Sequence, residues 1–325
     1  MVYENMFSKL LKGISLVTAG YMTHKLMNEI QREHAIKTKE GITHCEDLVK
    51  APSEFEEIGK PIHGTLSSSY VRHKETGQMY VKKGAHSRED IVKELMISNA
   101  LHEIRKEQPE CLIMQTKNRN GFQYHTLSRK FDNTQDVEEF VRQGKTDELK
   151  KKQAVGLEET LITDHIIGKQ SDTKLANMIV RDDGDKLIFT TIDNERAVTP
   201  TGLSFFHPTS PTYPINKLAL IRSIHDLSEK SDDNQAGLAG DPRAKEFGEL
   251  AESVMENEKI DNYYQKLART NLDPVIDQCN RLAKASNNGL VKQSDCVGYQ
   301  LFFKEMQKRA GEQIENSKIR NTNSV

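Results

Sequence analysis

Tryptophan is absent from the 325 residues, and cysteine is sparse, confined to Cys45, Cys111, Cys279 and Cys296. No two cysteines form a Cys-x-x-Cys pair, so the chain shows neither a zinc-ribbon pattern nor a disulfide framework, and a reducing compartment is the simplest expectation. The eleven histidines include no His-Glu-x-x-His or His-x-x-x-His spacing, which removes the common zinc-hydrolase signature. Charge of one sign is lacking too. The 46 Lys and Arg against 48 Asp and Glu leave a formal net charge of −2, so no global basic field points to nucleic acid. No apolar run is long enough to span a bilayer. The nearest, Phe7 to Met22, is broken by Lys9, Lys12 and Gly13 and reads as an amphipathic N-terminal helix packed on the domain; a signal peptide is the alternative. Internal repeats and a Gly-x-Gly-x-x-Gly loop are also missing.

Hydrophobic residues make up 36% of the chain and charged residues 29%, a balance that buries a core rather than leaving a disordered polymer. Residues 1–35 read as helical and 36–62 as polar and irregular, with Pro52 and Pro61 as breakers. Ser68–Lys74 and Gln78–Lys83 read as strands joined by the turn Glu75-Thr76-Gly77. Ser87–Ile104 reads as a helix with Ser87 as N-cap, Glu89 and Asp90 in the first turn, and Ile91, Leu95, Leu101 and Ile104 on an apolar side. Strands are expected at Cys111–Thr116 and Phe122–Phe131, then helices at Thr134–Arg142 and Leu157–Ile167. Met178–Val180 and Leu187–Ile192 read as two more strands, around the turn Asp182-Asp183-Gly184-Asp185. Residues 198–216 form a Pro/Thr/Ser-rich loop, Asn216–Glu229 a helix and Ser231–Asp241 a linker. Helical spacing returns over Arg243–Ala268, 272–286 and 298–316, and the tail from Ser317 is polar.

Four groups of residues stand out against this layout. Lys82 ends the strand Met79-Tyr80-Val81-Lys82, facing the same side as Tyr80, while Lys83 faces the other side and takes its place if the register slips by one. Glu94 lies in the middle of the following helix; Glu89 is the alternative, but its place in the first turn is explained by capping. Asp172 and Asn177 stand five apart in Asp172-Thr-Lys-Leu-Ala-Asn177, after one expected helix and before a short strand. Asp193 follows the apolar strand that ends at Ile192. A lysine for the phosphates, an acid to fix it, oxygen ligands for a metal and an acid near a hydroxyl are what phosphoryl transfer requires.

In this order the segments resemble the protein-kinase superfamily, with Lys82 in the Val-Ala-Ile-Lys position, Asp172 and Asn177 in the catalytic loop and Asp193 in the Asp-Phe-Gly position. The run Gly64-Thr-Leu-Ser-Ser-Ser-Tyr70 stands where a Gly-rich phosphate loop would be, with Ser67, Ser68 and Ser69 as nucleotide contacts. That serine-rich loop is similar to the atypical branch that includes the Fam20 kinases, HipA-like kinases and type II phosphatidylinositol 4-kinases. The chain departs from the common pattern in three places. Gln170-Ser171 precedes Asp172, Asn194-Glu195 follows Asp193, and no Ala-Pro-Glu element is visible.

The resemblance implies an α+β, two-lobed protein-kinase-like fold with an N-terminal helix and a helical C-terminal region. Its parts are an extension over 1–59, an N-lobe over 60–131, a C-lobe over 132–230 and a helical domain over 242–325. It implies ATP with Mg²⁺ or Mn²⁺ as cofactors, a protein hydroxyl as acceptor and no nucleic-acid partner. Lys82, Glu94 and Asp172 would be catalytic, and Asn177 and Asp193 would hold the metal. The layout is similar to a secreted bacterial effector kinase acting in the host cytosol or at a host membrane; otherwise the chain is cytoplasmic. Such a kinase would be switched on by host inositol hexakisphosphate, with its C-terminal region on a membrane phosphoinositide. The basic run Lys145, Lys150, Lys151 and Lys152 reads either as an anion site or as a solvated helix face, and the same two readings hold for Lys304, Lys308, Arg309, Lys318 and Arg320. The alternatives in function are a phosphatidylinositol kinase, an AMP transferase, and a pseudokinase or binding module.

Overall fold

The computed structural model describes residues 41–59, 68–83, 87–119, 121–167, 174–194, 220–222, 241–286 and 289–322. The helix expected over 1–35, the loop from Gly64 through Ser67, Asp172, the 198–216 loop and the linker through residue 240 lie outside the described residues, as does the Asn216–Glu229 helix except for residues 220–222, which are helical.

Six strands build the first sheet: β1 (Val49–Lys50), β2 (Phe55–Gly59), β3 (Ser69–His73), β4 (Met79–Lys83), β5 (Cys111–Asn118) and β6 (Gly121–Lys130). Their spatial order is β1-β5-β6-β4-β3-β2. All neighbours are antiparallel except β1, which runs parallel to β5. β1 and β2 fall in the stretch read as irregular and placed ahead of the N-lobe. β1 has two residues and β2 reads Phe-Glu-Glu-Ile-Gly, so neither carries the alternation that announces a strand. Backbone pairing with β5 and β3, not pattern, recruits them. The β3–β4 turn closes as expected: Gly77 sits at φ +70 and its N–H donates to His73 O at 2.8 Å, a conformation that suits glycine.

Helix α1 (Arg88–Ile104) joins β4 to β5. Ser87 caps it, its hydroxyl accepting the Asp90 N–H at 3.2 Å. The sequence shows one apolar side, yet every residue from Ile91 to Leu101 is buried. The physical reason is cover on two sides. Cys111, Ile113 and Tyr124 of the sheet belong to the same core as Ile91, Leu95 and Met96, and the C-terminal helices join that core with Val275, Cys279 and Cys296. Each large apolar side chain buried this way stabilises the fold by about 1.5–3 kcal/mol. The polar residues enclosed with them need partners. Asn99 accepts the Cys111 N–H at 2.8 Å and donates to Gln278 Oε1 at 3.2 Å.

The second sheet has the order β7-β9-β10-β8, from β7 (Thr134–Asp136), β8 (Gln153–Val155), β9 (Met178–Asp183) and β10 (Lys186–Thr191). The helix expected over Thr134–Arg142 therefore starts later. Thr134–Asp136 pairs with β9, and Asp136 then caps α2 (Val137–Arg142) by accepting the Glu139 N–H at 2.7 Å. Helices α3 (Glu148–Lys151) and α4 (Leu157–Ile166) complete this half. Phe131, between β6 and β7, lies under two guanidinium groups, Arg129 at 5.2 Å and Arg181 at 4.8 Å from the ring centroid.

Arg105, at the C-terminal end of α1, ties the halves together. Buried, it donates to Gly156 O at 3.2 Å and to Phe189 O at 3.0 Å. Gly156 has φ +81, and a Cβ there would lie 1.9 Å from Arg105 Nη2. Gly156→Ala should therefore lower stability by about 2–4 kcal/mol, combining left-handed backbone strain with a displaced buried cation. A urea midpoint equal to that of the wild type would refute this.

Four helices close the chain: α5 (Pro242–Val254), α6 (Asn257–Arg269), α7 (Asp273–Ala285) and α8 (Gln293–Thr322). The single helix expected over Arg243–Ala268 breaks at Met255-Glu256, which are extended. Met255 is buried, and the Glu256 N–H is given to Glu158 Oε1 on α4 at 2.9 Å, a bond no continuous helix could make. α8 runs further in both directions than the expected 298–316. No helix among the described residues is long and apolar enough to cross a membrane.

Candidate active site

The two lysines of β4 separate onto opposite faces of the first sheet. Lys82 pairs in register with Leu127 and Ser69, on the face where Phe55, Val71, Tyr80, Met114 and Leu127 cluster. Its ammonium donates to Glu57 Oε1 at 2.9 Å, and the same oxygen accepts the Ser69 hydroxyl at 2.9 Å. Lys83 pairs in register with Thr126, on the face that α1 covers, and its ammonium reaches Asp193 Oδ1 at 2.6 Å. The lysine that meets Asp193 is thus Lys83, not Lys82. The strand period separates the two residues but does not say which face looks at the second sheet. Tyr70 lies on the Lys83 face: it pairs in register with Val81, and Asp136 of β7 adds to the burial that pushes its hydroxyl up in pKa. Tyr70, Val81 and Lys83 therefore form a half-buried surface turned toward the second sheet. Sequence reading passed over Tyr70 and Val81, whose only signal is their alternation with Lys83.

Glu94 shares this face. It is 3% exposed; its Oε1 accepts the Ser128 hydroxyl at 3.5 Å, and its Oε2 has no hydrogen-bond partner. Ser128 pairs in register with both Val81 and Cys111. Burial holds the Cys111 thiol well above its ordinary pKa, the charge of Glu94 raises it further, and the charge of Lys83 acts in the other direction. A buried carboxylate with an unmatched oxygen, on the face that also carries Lys83, is electrostatically suited to receive a cation. Glu89, the alternative, lies in the first turn of α1.

The β9–β10 hairpin supplies the opposite wall. Met178 pairs with Thr191, and just beyond that pair the Ile192 N–H donates to Asn177 O at 2.9 Å. Asn177 and Asp193 are thereby placed at the same end of the hairpin. Two further bonds fix this end: the Thr191 hydroxyl donates to Asp164 Oδ1 at 2.8 Å, and Asn194 Nδ2 donates to the Ser98 hydroxyl of α1 at 3.0 Å. Asp193 has φ +65, a left-handed backbone uncommon for a residue other than glycine and recurrent at functional sites. A carboxylate and an amide are hard oxygen donors of the kind Mg²⁺ and Mn²⁺ take, so the residues present fit that metal.

Of the serines expected to touch nucleotide, Ser69 is buried and engaged by Glu57 on the Lys82 face, Ser68 is half-buried just ahead of β3, and Ser67 lies outside the described residues. The segment containing Ser67 joins β2 to β3, two antiparallel neighbours. The basic run near α3 is internally compensated. Lys150 pairs with Asp147, Lys151 with Glu148, Lys152 with both Glu148 and Asp182, and Lys145 donates to Gln135. Two basic residues of α8 are compensated likewise, Lys308 by Glu312 and Arg309 by Glu305.

A mostly antiparallel sheet with one long helix inserted before its last two strands, together with a second sheet whose hairpin presents an asparagine and an aspartate, makes a mixed α+β arrangement. Among solved structures the chain is similar to CtkA, a proinflammatory kinase of Helicobacter pylori, at 10% identity and a TM-score of 0.45, covering 80% of this chain and 96% of that one. It is also similar to WaaP, solved in complex with acyl carrier protein, at 14% identity and a TM-score of 0.31, covering 78% and 88%. No family model and no curated protein sequence matches the chain.

Proposed function

We propose that this protein is an ATP-dependent kinase that transfers the γ-phosphoryl group to a protein hydroxyl. The observation that carries the reading is the meeting of Lys83 and Asp193 at 2.6 Å, on the sheet face covered by the helix that carries the orphaned, buried oxygen of Glu94. In this reading the Lys83 ammonium turns from Asp193 toward the α/β-phosphates and the free oxygen of Glu94, leaving Asp193 and Asn177 to hold Mg²⁺ or Mn²⁺. The metal, when bound, neutralises charge on the phosphate oxygens. Tyr70 and Val81 offer an apolar surface for the base. Asp172, five residues before Asn177 in sequence, is assigned the role of orienting the acceptor hydroxyl and taking its proton. The hydroxyl oxygen forms a bond to the γ-phosphorus as the bond from that phosphorus to the β–γ bridging oxygen breaks, and ADP leaves with the electron pair.

The test is transfer from γ-labelled ATP with Mg²⁺ or Mn²⁺, offering a generic protein acceptor and, separately, phosphatidylinositol vesicles. Label on protein supports the reading, and label confined to lipid replaces it with a phosphatidylinositol kinase. A product heavier by AMP identifies nucleotide transfer, and bound ATP with no product identifies a pseudokinase. Activation by inositol hexakisphosphate, expected from the resemblance, is a separate proposal. It is read in the same assay as an increase in rate on adding the compound, and no increase removes it.

A further inference from the structure

The N-terminal end of α1 is held from outside both sheets. Arg88, the first residue of α1, donates through Nη1 to Asp295 Oδ2 at 2.5 Å and through Nη2 to Asp295 Oδ1 at 3.3 Å. Its Nη1 also donates to Leu290 O at 2.8 Å. Asp295 is buried near the start of α8, where its Oδ2 accepts the Lys292 N–H at 2.8 Å as well. The fork geometry of a guanidinium on a carboxylate fixes direction as well as distance. Further along α1, the Asn99–Gln278 bond ties the helix to α7. These contacts span 179 to 207 residues of sequence and all end on one element, the helix that carries Glu94.

We infer that Arg88 and Asp295, together with Gln278, are positioning residues for phosphoryl transfer: through Asp295 helix α8, and through Gln278 helix α7, set the placement of α1 and so of Glu94 relative to Lys83. This rests on the kinase reading above. Glu94 sits mid-helix, six residues from Arg88, while Arg105 anchors the far end of α1 on Gly156 and Phe189. With one end fixed on the second sheet, the position of the other decides how far the Glu94 carboxylate stands from the lysine. The C-terminal unit is then part of the catalytic apparatus and not an appended module. A small displacement suffices, because a catalytic group misplaced by about 1 Å loses on the order of a hundredfold in rate.

The test uses the full chain and two substitutions at a position that leaves the α8 cap intact, Arg88→Gln and Arg88→Lys. Arg281→Gln serves as control, since it removes an exposed ion pair to Asp47 that touches neither α1 nor the site. Arg88→Gln should lower kcat by about 10- to 100-fold with KM for ATP changed less than about twofold, and Arg88→Lys should recover most of that loss. Amide exchange over Arg88–Ile104 should quicken in Arg88→Gln and not in Arg281→Gln. Unchanged exchange in α1, or kcat within about twofold of wild type, overturns the inference. If Arg88→Gln fails to fold, Gln278→Ala, which loosens the same helix from α7, gives the same readouts. If the wild type itself transfers no phosphate, the kinase reading fails, and the exchange measurement still decides whether α7 and α8 hold α1.

Discussion

Asp193→Ala is expected to abolish phosphoryl transfer, by at least about a thousandfold in kcat, while the protein stays folded. The carboxylate is one-third exposed and pairs with the Lys83 ammonium at the surface of the gap, so its removal does not open the core. What disappears is the carboxylate that follows β10 at the hairpin end shared with Asn177, hence a hard oxygen donor that a divalent ion on the triphosphate would need. Alanine also forfeits some stability at φ +65, where aspartate and asparagine are tolerated better. Asp193→Asn separates the two effects: it keeps the backbone conformation, removes the charge, and should lose nearly as much activity as alanine. Measurable transfer by Asp193→Asn at more than about a tenth of the wild-type rate would show that Asp193 does not serve the reaction.

Lys83→Met is expected to cost at least about a hundredfold in kcat/KM, and Lys82→Met less than about threefold. The two lysines are neighbours in sequence, equal in chemistry and ion-paired alike, so composition predicts the same outcome for both. Their surroundings differ. Lys82 answers Glu57, an exposed acid on the face away from α1, and a solvated pair of that sort contributes little. Lys83 answers Asp193 across the gap between the sheets and lies on the same face as the buried Glu94. Methionine preserves the apolar stem of either lysine, so packing changes little in both variants. Steady-state kinetics on the pair decides between them. A larger loss in Lys82→Met would mean that the catalytic face of the sheet is the one holding Tyr80 and Ser69, and would remove Lys83 from the site.

Much of the local structure could be read along the chain, because its signals are local. Ser87 followed by acids announces the start of α1; Glu75-Thr76-Gly77 announces a tight turn whose glycine takes positive φ; the apolar runs on either side of Asp182-Asp183-Gly184-Asp185 announce the hairpin that brings Asn177 and Asp193 to one end. Each is a relation between residues a few positions apart, set by capping, by φ or by the two-residue period of a strand. β2 was not legible, because Phe55-Glu-Glu-Ile-Gly59 has no alternation and owes its conformation to pairing with β3. The break at Met255-Glu256 was not legible either, since it answers Glu158 from a different helix, 98 positions away.

The chemistry divides along the same line. The kinds of group present, a lysine pair closing a strand, a mid-helix glutamate, Asp172 with Asn177 five residues on, and Asp193 after an apolar strand, could be named from residue order alone, since order and spacing survive without coordinates. Which lysine faces Asp193, why Glu94 is buried with one oxygen unmatched, and which distant helices hold α1 in place depend on how two sheets and four C-terminal helices pack. Those are matters of register and of contacts across 110 and 207 positions, and no local propensity encodes a partner that far away.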